Sequence, residues 1–120
     1  DEQSIRITTK NMLEDLGFRV LVVENGKTAV SVFEQHHAEI SLVIMDMIMP
    51  EMDGHEAFIK MKAIDKNCRI IIASGFADQD KLNNLKELGL FSYLKKPYSN
   101  QQLNNAVSAA LMSGSDTGGS

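Results

Sequence analysis

Three side chains of different chemistry stand at the ends of short apolar runs. Asp46 follows residues 41–45, Ser74 follows 69–73, and Lys96 follows 91–94. Two more acids, Asp1 and Glu2, precede the first amphipathic segment. Taken singly, each has an ordinary explanation, since Asp and Ser-Gly make turns and lysines are mostly solvated. Taken together, an acid, a hydroxyl and a cation suit phosphoryl transfer to a carboxylate. That reaction needs a nucleophilic carboxylate, a divalent cation over the phosphoryl oxygens and a fixed positive group. Two carboxylates about 5 Å apart already repel by roughly 3 kcal/mol at an effective dielectric near 20. An incoming phosphoryl anion therefore requires positive charge, and oxygen-only ligands with bound phosphate select Mg²⁺.

The elements that must carry these groups alternate between helical and strand patterns, the signature of an α/β fold with a parallel sheet. Residues 4–16 read as a helix with Ile5, Thr8 or Thr9, Met12 and Leu16 on one stripe and Gly17 closing it. Residues 18–23 read as a strand, followed by the Asn25-Gly26 turn and a helix bearing Ala29, Val30 and Phe33. The run 41–45 is apolar on both faces and belongs in the middle of a parallel sheet. A helix to about Ile64 with Phe58 and Met61 inward, the strand 69–73, and a helix with Leu82, Leu85 and Leu88 follow, Asp78 standing at the cap of the last. After the short strand 91–94, Ser99 and Gln102 have capping-box spacing, and Tyr98 and Leu103 that of a hydrophobic staple. In open sheets of this kind ligands bind outside the carboxyl ends of the strands, where Asp46, Ser74 and Lys96 all fall.

The chain has 120 residues and a net charge of −4, enough for one domain and unsuited to direct nucleic-acid binding. No apolar stretch approaches the ~20 residues needed to span a bilayer. A single cysteine, Cys68, excludes an internal disulfide framework and suits the cytoplasm. Residues 1–112 are expected to form the domain and 113–120, small and polar, a flexible tail or linker.

Asp1-Glu2, Asp46-Met-Ile-Met-Pro50 with Met52-Asp-Gly54, Ser74-Gly75 and Lys96-Pro97 resemble, in order and spacing, the receiver domains of two-component signalling. The resemblance runs from Asp1 to about Leu111. It implies a flavodoxin-like, doubly wound parallel sheet of order 2-1-3-4-5. It also implies Mg²⁺-dependent, self-catalysed phosphorylation of Asp46 by a histidine kinase or histidine phosphotransfer domain. Asp1, Asp46 and the Ile48 backbone carbonyl would be metal ligands, Ser74 would hydrogen-bond the phosphoryl group, and Lys96 would pair with it. Tyr93 is similar to the family's switch residue, so residues 74–111 would form the responsive surface. Ile48 and Phe76 fall where attacking water passes in the family, and neither orients water, which implies slow dephosphorylation. A cis Lys96–Pro97 bond is implied as well.

One departure is large. The family's first strand and first acid precede the position of Asp1, so the sequence is expected to lack that strand. The run Arg19-Val-Leu-Val-Val-Glu-Asn25 imitates it, but only one helix fits between Glu24 and Asp46, so 18–23 is read as the second strand. The expectation is an unpaired gap beside it. The gap would be filled by an upstream strand, by strand exchange or a homodimer, or by direct pairing of 18–23 with 41–45. Haloacid-dehalogenase chemistry would need an acid where Ile48 stands, and flavin binding a phosphate loop where Asp1-Glu-Gln-Ser4 stands. The remaining alternative is an interaction-only pseudo-receiver. The Ser74-Gly-Phe and Lys96-Pro-Tyr-Ser99 context is similar to receivers attached to hybrid histidine kinases.

Overall fold

The computed structural model describes residues 2–47, 51–75 and 79–117, the side chains of residues 2, 3, 5 and 112–117 excepted. Nine elements follow in chain order among them: α1 (Glu2–Asp15), β1 (Val20–Val23), α2 (Gly26–His36), β2 (Leu42–Asp46), α3 (Gly54–Ile64), β3 (Ile70–Ser74), α4 (Gln79–Glu87), β4 (Ser92–Lys95) and α5 (Asn100–Thr117). The four strands form one parallel sheet in the order β1-β2-β3-β4.

Alternate side chains of β1, β2 and β3 feed two separate cores, as a doubly wound sheet requires. On one face Val23, Val43, Met45, Ile70 and Ile72 pack against Phe33 of α2, Phe58 and Met61 of α3, and Leu85 of α4. On the other, Val20, Leu42, Ile44, Ile71 and Ala73 pack against Leu13 of α1 and Leu103, Val107 and Ala110 of α5. β2 and β3 are buried along their whole apolar length, which places them at the sheet centre as their composition predicts.

The α/β class, the parallel sheet and helices on both faces agree with the sequence reading. Of the ways expected to fill the gap, the structure shows direct pairing: β1 pairs with β2, Val20 opposite Leu42 and Val23 opposite Met45. Of the implied order 2-1-3-4-5, the strands present keep the succession 2-3-4-5 and close over the missing position. Pairing satisfies backbone groups that would otherwise lie unbonded at the centre of the sheet.

Two further differences concern helices. The buried face of α1 is Arg6, Thr9 and Leu13, while Met12 and Leu16 are exposed. The expected stripe is thus displaced by about one residue, roughly 100° around a helix. At the other end, α5 continues to Thr117, past the Ser113 at which the expected tail begins. Extending an existing helix needs only propagation. The capping box is present as expected: Gln102 N donates to Ser99 Oγ (3.0 Å) and Ser99 N to Gln102 Oε1 (2.8 Å). Tyr98 and Leu103 are both buried beside it. Asp78 lies outside the described residues.

Candidate functional site

The parallel register delivers the chemistry to one edge of the sheet. Asp46 is the last residue of β2, Ser74 the last of β3, and Lys96 follows β4. Asp46 lies opposite Ala73, and Ser74 opposite Lys95. Met47 N donates to the Ala73 carbonyl (3.0 Å) and Lys96 N to the Ser74 carbonyl (2.9 Å), so the strand ends remain knitted beyond the ladder. The Lys96–Pro97 peptide is cis, as expected.

Lys96 Nζ reaches Asp46 Oδ1 at 3.0 Å. Ser74 is buried, and its carbonyl also accepts from the Tyr93 hydroxyl (3.2 Å). The structure therefore brings Asp46, Ser74, Lys96 and Tyr93 together. Asp1, Ile48 and Phe76 lie outside the described residues.

Gly54, at the start of α3, is held close to the end of β2. Gly54 N donates to the Met47 carbonyl at 2.6 Å, and a Cβ on Gly54 would stand 2.6 Å from the Asp46 carbonyl oxygen. Only glycine allows that approach. Asp53 caps α3 through Glu56 N (2.9 Å), and Asn25 caps α2 while its Nδ2 donates to Glu51 Oε1 (3.2 Å). The motif Met52-Asp-Gly54 is thus local architecture that turns the chain away from Asp46.

Sequence reasoning missed Arg6. Its Nη1 lies 3.1 Å from Asp46 Oδ1, the same oxygen that Lys96 holds, and its side chain is only 8% exposed. Each cation attracts the carboxylate by roughly 5 kcal/mol at 3 Å and an effective dielectric near 20, before desolvation is counted. Arg6 Nε is buried without a hydrogen-bond partner among the described residues. The available signal was the spacing of Arg6, Thr9 and Leu13, one helical face that the apolar stripe through Ile5 and Met12 obscured.

A carboxylate oxygen is the right donor for a hard cation. Asp46 is the one member of the expected ligand set among the described residues, where no three His, Cys, Asp or Glu gather as a metal cluster. None of the described helices is long and apolar enough to cross a membrane.

Residues 1–108 match the family described as the response regulator receiver domain. The chain is 32% identical over 111 residues to sporulation initiation phosphotransferase F of Bacillus subtilis, covering 92% of this chain and 88% of that protein. It is 33% identical to chemotaxis protein CheY of the same organism, covering 92% of each. The match to sensor kinase CckA of Brucella abortus, at 30% identity, covers 92% of this chain but 12% of the kinase. Among solved structures, a receiver domain protein from Clostridium thermocellum superimposes with a TM-score of 0.78 at 28% identity, covering 96% of this chain and 90% of that one. The receiver domain of a Pseudomonas aeruginosa sensor histidine kinase, described with magnesium in its active-site cleft, gives 0.70 at 26% identity, covering 92% and 91%.

Proposed function

Since this chain belongs to the response-regulator receiver family, we propose that Asp46 is its phosphoacceptor and that a histidine kinase or histidine phosphotransfer domain is the donor. The observation that carries this reading is the Lys96–Asp46 contact of 3.0 Å at the carboxyl edge of the sheet, beside the end of β3. In the reaction an Asp46 carboxylate oxygen forms the new P–O bond as the P–N bond to the donor imidazole breaks. The imidazole nitrogen keeps the electron pair and takes up a proton. Lys96 holds the carboxylate in place before transfer and meets the phosphoryl charge after it. Ser74 supplies a hydroxyl to a phosphoryl oxygen.

Mg²⁺, held by Asp1, Asp46 and the Ile48 carbonyl, would neutralise phosphoryl oxygens during transfer. Tyr93 couples the site to the surface formed by residues 74–111, because its hydroxyl already bonds Ser74. Moving such a switch from 1:99 to 99:1 takes about 5.5 kcal/mol of differential stabilisation. The unpaired thiol of Cys68 agrees with a cytoplasmic setting.

The second reading, an interaction-only pseudo-receiver, is favoured by one observation: two protein cations already occupy Asp46 Oδ1. Labelling with acetyl phosphate and Mg²⁺ separates the two. The proposed function predicts incorporation by the wild type and none by Asp46→Asn. An unlabelled wild type that still binds its partner is the outcome the pseudo-receiver predicts.

A further inference from the structure

Resting on the phosphoacceptor reading, we propose that Arg6 is a second phosphoryl-binding cation, built into α1, that acts with Lys96 on the acyl phosphate of Asp46. Its position is the first argument. Arg6 Nη1 and Lys96 Nζ converge on one carboxylate oxygen from opposite ends of the chain, at 3.1 and 3.0 Å. A group bonded to that carboxylate arrives within reach of both.

Charge is the second argument. Before transfer, two cations face one carboxylate, leaving a local excess of one positive charge among these three side chains. Transfer replaces the carboxylate's charge with a phosphoryl group carrying close to two negative charges. Transfer thus adds negative charge opposite the two protein cations, while the Mg²⁺ and Asp1 of the proposed function contribute the same charge before and after it.

Hydrogen bonding is the third. Arg6 is 6% exposed, and its Nε finds no partner among the described residues. A buried guanidinium with an unmet donor is costly. The phosphoryl group brings three acceptor oxygens to it, and planar guanidinium donors suit phosphate geometry. The phosphoryl oxygens are already within reach as the P–O bond forms, so the interaction is stronger in the transition state than with the free carboxylate, the condition for it to promote the reaction.

Helix α1 is held where this requires. Leu13 and Thr9 are buried, and Thr9 Oγ1 donates to Asn104 Oδ1 of α5 at 3.4 Å. Arg6 therefore meets Asp46 from an element packed on the sheet.

The test uses the whole chain, acetyl phosphate and Mg²⁺, with wild type, Arg6→Gln and Arg6→Lys compared. Arg6→Gln is expected to label roughly 100-fold more slowly, the lower end of the effect of removing one preorganised donor. Arg6→Lys should fall between the two. A labelled wild type with Arg6→Gln labelled equally fast or faster overturns this role, faster labelling being what a merely blocking arginine gives. A wild type that takes no label overturns the phosphoacceptor reading itself, and this role with it. A second measurement does not depend on the Gln variant folding. In the wild type, beryllium fluoride with Mg²⁺ should shift the Arg6 guanidinium NMR signals, and unmoved signals under saturating beryllium fluoride contradict the proposal.

Discussion

Asp46, Ser74 and Lys96 were legible because each closes an apolar run, and parallel strands bring such ends to one edge. Arg6 was not, because a buried cation on a helix breaks the rule that apolar residues mark the inner face. Ile48 and Phe76 bear on the lifetime of the proposed acyl phosphate. On the proposed reading attacking water would pass these two apolar side chains, whose bulk would obstruct it, so Ile48→Ala with Phe76→Ala is expected to shorten the phosphoryl half-life several-fold, measured as loss of label after donor removal. An unchanged half-life would show that these positions do not gate water. Cys68 tests the packing beside β3. Burial pushes its thiol up to about 11 from 9.0, with Lys62 opposing in part. At pH 8 roughly one thiol in a thousand is then ionised. Native protein should therefore react with iodoacetamide about 100-fold more slowly than protein unfolded in urea, and equal rates would place the thiol in water.

Helices and strands differed in how plainly they could be read. The apolar runs of β2 and β3 specify central strands because both faces are buried. α5 was marked at its start by Ser99 and Gln102, which make the expected hydrogen bonds, and by Tyr98 and Leu103, which are buried in one core. Ser99→Ala removes the acceptor for Gln102 N, and loss of such a cap costs about 1 kcal/mol. Urea denaturation should show that loss with an unchanged m value. α1 was harder. With Ile7 and Met12 nearly half exposed and Leu16 more so, its apolar residues spread around the helix and define no single face. What sets its rotation is tertiary: Leu13 in the core and Arg6 on Asp46.

At the scale of the molecule, class and layering followed from the alternation of patterns, whereas strand order did not. The resemblance supplied an order with a strand between residues 18–23 and 41–45. The direct pairing of β1 with β2 was only one of several ways to satisfy the exposed edges. No local signal distinguishes these, because pairing partners are chosen by backbone satisfaction across the whole sheet. The closed sheet keeps β2 central, and Asp46 at its end stays between Lys96 and Arg6. The proposed phosphoacceptor role of this carboxylate has a direct chemical test. Borohydride reduces an aspartyl phosphate to homoserine, so treating the phosphorylated chain and sequencing its peptides by mass spectrometry locates the group directly. Homoserine is expected at position 46 alone, dependent on phosphodonor. Homoserine at another aspartate, or none in a chain that carries label, would contradict it.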